Sequence, residues 1–158
     1  IQADAVQLPY AENTYDVVIA LDVLEHIEDD LAALNEWRRV LCPGGQLVLT
    51  VPAYQWLWSE HDESLHHFRR YTTSGLHALC NRAQLTVQTR TYIITFFFPI
   101  IVAYRAIRHF FRPKRSTSYV MLPPWLNWFF IKLVELEGVI VQKVNLPFGT
   151  SVLLTAGK

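Results

Sequence analysis

The sequence predicts an α/β domain: a mostly parallel sheet with flanking helices and an antiparallel closing strand. Two features carry that expectation. Tyr15 to Leu21, YDVVIAL, and Gln46 to Val51, QLVLTV, are short β-branched apolar runs without polar alternation, the pattern of strands buried on both faces of a parallel sheet. Between them, Asp29 to Leu41 places Leu31, Leu34, Trp37 and Leu41 at helical spacing, so strand, helix and strand form one parallel crossover unit, expected to be right-handed.

The remaining elements follow in order. The helix over 29–41 has acidic residues at its start and Arg38 and Arg39 near its end, as the helix dipole favours, and Pro43, Gly44 and Gly45 stop it. Ala53 to Tyr71 is polar, aromatic and too rich in His, Asp and Glu for a plain connector; long loops in compact domains are usually functional, and the chemistry is expected near it. Thr72 to Arg82 reads as a helix capped by Thr72 or Thr73, and Leu85 to Ile94 as a strand. Phe96 to Phe111 is an apolar, then basic helix, Pro113 to Tyr119 a polar linker, and Trp125 to Val141 a further helix with a wide apolar face. Ser151 to Ala156, after the turn residues Pro147 and Gly149, is the closing strand.

Composition bounds the function. The chain has 158 residues, 51% of them apolar and 18% charged, enough for one globular domain with a substantial core and too apolar for disorder. Cys42 and Cys80 supply no disulfide framework and no zinc spacing, so a reduced, cytoplasmic setting is the default. No apolar run reaches the ~20 residues needed to span a bilayer. Met121 is the only methionine, and further sequence is expected upstream of Ile1. The zero net charge hides an asymmetry: residues 1–68 hold 12 acidic and 2 basic groups, residues 69–158 hold 2 acidic and 12 basic. Such an asymmetry bears on partners and not on fold.

Five segments then arrive in one order: Ala3-Asp4-Ala5 with Leu8-Pro9, Tyr15-Asp16-Val17-Val18, Asp22-Val23-Leu24-Glu25-His26, Leu41-Cys42-Pro43-Gly44-Gly45, and Leu47 to Pro52. In that register they resemble the second half of a class I S-adenosylmethionine-dependent methyltransferase of the type 11-like group. The later His67-Phe68-Arg69-Arg70-Tyr71 and Pro147 to Ser151 are similar to segments of a bacterial branch. The resemblance implies a Rossmann-like fold whose first strands, glycine-rich loop and ribose-holding acidic residue lie upstream of Asp4. It makes residues 1–158 a partial methyltransferase domain, with the cofactor side in 1–52 and the acceptor side in 53–158.

The resemblance also implies roles. Asp4 would accept a hydrogen bond from the adenine amino group while the Ala5 amide meets a ring nitrogen, a donor and acceptor pattern complementary to adenine's edge. Leu21 and Asp22 would lie beside the methionine portion of S-adenosylmethionine, at the carboxyl end of a strand where open α/β sheets bind ligands. Asp22, Glu25 and His26 fall at i, i+3 and i+4 and could face one side as metal ligands must. Some relatives bind a divalent ion through such a set; a fourth ligand from His61, His66 or His67 would be needed, and no metal is assigned.

Methyl transfer requires alignment, desolvation and, for hydroxyl or amine acceptors, a base. Histidine titrates where a base is needed, and His67 and His61 are the candidates, with Asp62 as an orienting carboxylate and Arg69 and Tyr71 as substrate contacts. The alternative for this stretch is that Arg69 and Arg70 pair with Asp62, Glu63 or Glu60 and pin the loop. His77 reads as structural, and Trp37, Trp56 and Trp58 as core or pocket wall.

Ile94 to Arg115 runs from bulky apolar residues into Arg105, Arg108, His109, Arg112, Lys114 and Arg115. Three readings are open: a peripheral membrane contact with anionic lipid, a buried helix with a solvated charge run, or a lid whose Phe96, Phe97 and Phe98 line a hydrophobic acceptor's pocket. The expected function is methyl transfer to a small-molecule, hydrophobic or lipid-like acceptor. The alternative is an inactive methyltransferase-like module that binds a membrane or a partner. Nucleic acid is excluded as a partner because the candidate loop is acidic as well as basic.

Overall fold

In the computed structural model, which describes residues 1–111 and 123–158, the sheet has four strands in the order β1-β2-β4-β3. They are β1 (Tyr15–Leu21), β2 (Leu41–Pro52), β3 (Thr86–Ile93) and β4 (Ser151–Gly157). β1 and β2 pair in parallel, while β4 lies antiparallel to both β2 and β3. Three strands therefore run one way and β4 runs against them, as expected of a mostly parallel sheet with an antiparallel closing strand.

Helix α1 (Asp30–Val40) begins where the Asp29 carboxylate accepts the Ala32 amide at 2.9 Å. It buries Ala33, Leu34, Trp37 and Val40. These meet Leu47, Leu49 and Val51 of β2 and Val152, Leu154 and Ala156 of β4 in one core, which α3 (Thr73–Arg82) completes with Leu76, Leu79 and Cys80. Thr72 is the cap of α3, its hydroxyl accepting the Gly75 amide at 3.1 Å.

Pro43-Gly44-Gly45 does more than stop α1. β2 begins at Leu41 itself, and the pairing with β1 jumps from Tyr15 opposite Leu41 to Val17 opposite Gln46, so the tripeptide bulges inside the strand. Gly44 has φ +81°, and a Cβ on Gly45 would meet the Cys42 carbonyl at 2.9 Å and the Asp16 carbonyl at 3.0 Å.

β1 departs from expectation. Among the described residues it is an edge strand with one covered face: Val18 and Ala20 turn to the core, while Val17, Ile19 and Leu21 are 50–64% exposed. An apolar run records affinity for burial and not how many faces a given chain covers.

Residues 53–71 are more ordered than a loop. A 3-10 turn (Gln55–Leu57) and the short helix α2 (Glu60–Ser64) lie between ends tied together by Tyr54 N–H to the Tyr71 carbonyl, 2.7 Å, and Tyr71 N–H to the Pro52 carbonyl, 2.9 Å. The helices α4 (Phe98–Phe111) and α5 (Pro124–Val141) match the expected pair, with Pro124 opening α5. Glu137 of α5, buried, accepts the backbone amides of Ile94, Thr95 (2.8 Å) and Phe96 (3.2 Å), fixing the approach to α4. The linker expected over Pro113 to Tyr119 lies outside the described residues.

Candidate functional site

A cavity of about 300 Å³ opens beyond the carboxyl ends of β1 and β2. It is lined by Asp22, Glu25 and His26 after β1, His61, His67 and Arg70 from the 53–71 segment, and Ile101 and Arg105 from α4.

The parallel sheet delivers the first group. β1 ends at Leu21, and Asp22 turns the chain with φ +52°, a conformation rare outside glycine. It is over-determined there: the Asp22 amide donates to the Thr50 carbonyl (3.0 Å) and hydroxyl (3.1 Å), and the same hydroxyl lies 3.3 Å from Asp22 Oδ1. The following 3-10 turn, Leu24–His26, buries Glu25 at 1% exposure. Burial, reinforced by the charge of Asp22 and opposed by that of Arg70, pushes the Glu25 carboxyl up to about 7. Its Oε2 is buried without a hydrogen-bond partner.

Asp62 organises the second group. It is fully buried, and Arg70 grips it with two parallel bonds, Nε to Oδ1 at 2.7 Å and Nη2 to Oδ2 at 3.0 Å. The Ser59 amide and hydroxyl add 2.9 and 3.1 Å contacts, and His67 Nδ1 lies 3.0 Å from Oδ1. Burial by itself would raise this carboxyl; the bonds and charge of Arg70, with those of His67 and Ser59, outweigh it and hold Asp62 at about 2. An ionised Asp62 only accepts, so Nδ1 of His67 carries the proton and Nε2 is left as the basic nitrogen. The His67 side chain is 7% exposed and its ring packs edge-on against His26, centroids 4.5 Å apart.

Glu25, His26 and His67 each bring a ligand atom within 4.8 Å of the others. Two imidazoles and a carboxylate can hold a divalent ion, with Asp62 behind His67 as the outer-shell partner such a ligand needs. The sequence triplet is thereby rearranged: Glu25 and His26 converge with His67, and Asp22 stands outside the set.

Of the other sequence candidates, His61 is exposed and lines the cavity. Arg69 and Tyr71 do not line it. Arg69 pairs with Asp30 at 2.8 Å and donates to the Glu28 carbonyl at 2.6 Å, and the buried Tyr71 hydroxyl meets Asp30 at 3.1 Å, so both fasten the segment to the start of α1. The pinning pair is Arg70 with Asp62. Asp4 is exposed, with Oδ1 accepting the Val6 amide at 3.0 Å, and the Ala5 carbonyl accepts Trp37 Nε1 at 3.1 Å. Asp4, Ala5 and Leu21 lie outside the cavity.

Phe96, Phe97 and Phe98 do not line it either: Phe98 packs on Tyr54, Trp56 and Phe148, and Phe97 on Phe130. Ile101 and Arg105, further along α4, line it instead. Arg105 falls in the sequence's basic run, and only its one-turn spacing from Ile101 sets it on the cavity side.

Residues 1–49 match the family model described as a methyltransferase domain. The chain is 35% identical over 94 residues to the uncharacterized protein YafE of Escherichia coli, covering 54% of this chain and 45% of that protein. It is 47% identical over 47 residues to the 27-O-demethylrifamycin SV methyltransferase of Amycolatopsis mediterranei, covering 30% and 17%. The chain thus spans less than half the length of these relatives. Among solved structures, Haemonchus contortus phosphoethanolamine N-methyltransferase 2 in complex with S-adenosyl-L-methionine superposes with a TM-score of 0.58 at 16% identity, over 98% of this chain and 36% of that one.

Proposed function

We propose that this chain, which carries the class I S-adenosylmethionine-dependent methyltransferase fold and that family's domain sequence over residues 1–49, takes part in methyl transfer to a small acceptor held in the cavity. S-adenosylmethionine is the cofactor of the family. The residues present fit part of it: Asp22 offers a carboxylate at the strand ends beside an exposed Leu21, and Asp4 an exposed carboxylate ahead of Ala5. Bound there, the cofactor supplies an electrophilic methyl group.

The chain's own residues do the rest. Asp62 and Arg70 hold the His67 ring, whose Nε2 takes the proton of a hydroxyl or amine acceptor. His61 lines the cavity as the second candidate base. Leu57, Leu65, Pro52 and Ile101 give the acceptor an apolar wall and displace water. Arg69 and Tyr71 fasten the 53–71 segment to the start of α1 through Asp30.

The Asp62–His67 pair facing a cavity at the strand ends is the observation that carries this reading. Calorimetric titration of S-adenosylhomocysteine tests it, combined with turnover of an acceptor panel followed by release of that product. His67→Ala is expected to lower turnover by on the order of 100-fold while leaving product affinity within about twofold, as befits a base. Asp22→Ala is expected to weaken product affinity by about tenfold. Absence of binding to the unaltered chain overturns the reading, and unchanged turnover in His67→Ala removes His67 from the chemistry.

A lipid contact is a second part of the proposal. α4 exposes Ile100, Tyr104 and Ile107, and α5 exposes Trp125, Trp128, Phe129 and Ile131, while no helix among the described residues is long and apolar enough to cross a membrane. Exposed apolar side chains entering the headgroup boundary, in a stretch whose sequence also carries cations for anionic lipid, suit a peripheral contact. Sedimentation with anionic vesicles, expected to capture the chain at low salt and release it at high salt, tests this; no capture at low salt overturns it.

A further inference from the structure

Among the described residues, the cavity holds a cation with an unpartnered buried atom. Arg70 lines it, yet its guanidinium is committed to Asp62 and to the Ala53 carbonyl at 3.1 Å. Arg105 lines it from α4, and its Nη1 is buried without a hydrogen-bond partner. The groups that could pair with it are Asp22, Glu25, Asp62 and the imidazoles of His26, His61 and His67. Asp62 is saturated by Arg70, His67 and Ser59, and Asp22 is tied to Thr50. Glu25 Oε2 is itself unpartnered, so the two orphaned atoms of one cavity do not meet each other.

Arg105 is half-buried with Nη1 cut off from water and unbonded, and burial with the repulsion of Arg70 lowers its proton affinity by more than the charge of Asp62 restores. An incoming anion would satisfy it, and the planar fork suits two parallel bonds to an oxyanion. Thr150 and Ser151 line the same cavity and offer hydroxyl donors.

We propose that Arg105 is the anion-binding residue of the cavity, and that the methyl acceptor carries a carboxylate or phosphate group seated on its guanidinium. The second clause rests on the methyl-transfer reading; the first does not. The acceptor is then a small organic anion with an apolar body, its nucleophile on the His67 side and its charge on the α4 side. Arg105 selects and orients it, and takes no part in the proton transfer.

Protein-observed NMR of the arginine Nε–H resonances tests the site without cofactor or acceptor. Inorganic phosphate and acetate are titrated separately into the chain, into Arg105→Lys and Arg105→Met, and into Arg82→Met as a control on α3. Saturable shifts are expected for the unaltered chain and the control. Affinity should fall several-fold in Arg105→Lys, which keeps the charge and loses the fork, and saturation should vanish in Arg105→Met. Unaltered circular dichroism checks that each variant folds. The anion with the higher affinity identifies the tetrahedral or the planar group as the preferred one.

Saturation that persists in Arg105→Met, or no saturation in the unaltered chain, overturns the proposal. S-adenosylhomocysteine titrated into the same proteins separates the two readings. Anion binding without product binding keeps the Arg105 site and removes methyl transfer; product binding without anion binding does the reverse.

Discussion

Glu25 and Asp62 are two buried carboxyls of one site whose surroundings push them in opposite directions. Folding raises the Glu25 value from an ordinary one of about 4.3 to about 7, so the native state binds that proton more tightly. Its stabilising contribution is complete below about pH 4 and lost as the pH rises through 7, on the order of 3 kcal/mol. Asp62 sits at about 2, so its contribution is present above about pH 4 and lost as the pH falls towards 2. Denaturant melts from pH 5 to 8 should show a decline in stability that Glu25→Gln flattens; an identical slope in the variant contradicts the assignment. Asp62→Asn leaves Arg70 buried beside a neutral partner and is expected to cost about 3 to 5 kcal/mol. At this scale the sequence offers the residue types and Asp62 as partner to a histidine or an arginine, both of which the structure shows, and leaves open which of each it is. His67, Asp62 and Arg70 were named from the His-rich segment, yet which arginine would grip Asp62 depends on the side chain's direction in a turn. Glu25 was legible as a carboxylate and not as a buried one, because a three-residue 3-10 turn has no periodicity to read.

The elements were far more legible than the contacts. β1 and the bounds of α1, α3 and α5 follow from apolar spacing and from capping residues, and those features are local. Thr72→Ala should therefore destabilise α3 by about 1 kcal/mol, measured as a shift of the denaturant midpoint. In sequence, Pro43-Gly44-Gly45 signals a helix stop and a strand bulge alike; only the register against β1 distinguishes them. Gly45→Ala should disturb that register, since its methyl would press on two backbone carbonyls. Faster amide hydrogen exchange in β1 than in β3 would show it. The lid of Phe96 to Phe98, one of three open readings, does not form: Phe96 and Phe97 precede α4, and within α4 helical phase decides which side chains reach the cavity. Phe98 spends its ring on Tyr54 and Phe148, and the next turn presents Ile101 and Arg105.

Across the whole molecule, the opposite charges of the two halves meet in the 53–71 segment and at the start of α1. Arg70 reaches Asp62 and Arg69 reaches Asp30, each joining a cation from beyond residue 68 to an acid before it. The asymmetry visible in composition is thus partly internal wiring. Salt should weaken the half-exposed Arg69–Asp30 pair more than the buried Arg70–Asp62 pair. A double-mutant cycle at low and high ionic strength should show the first coupling shrink and the second persist. The mixed sheet with its antiparallel closing strand is readable at this scale because strand composition and order carry it. The exposed face of β1 was not, since burial of a strand depends on what is laid against it.

The strand order also sets a timetable. β4 comes last in chain order and lies between β2 and β3, and Lys158 beyond it reaches back to the Leu41 carbonyl at 2.6 Å and Asn13 at 2.7 Å. As the chain leaves a ribosome, β2 and β3 have no partner in common until residues 151–157 emerge. The pairings that join them run from Ile93 with Ser151, 58 residues apart, to Gln46 with Gly157, 111 apart, the kind of separation that slows a folding reaction. Until then the segments holding Glu25, His67 and Arg105 lie over a sheet whose β2 and β3 are not yet joined, so pairing of β4 is what completes the floor of the cavity.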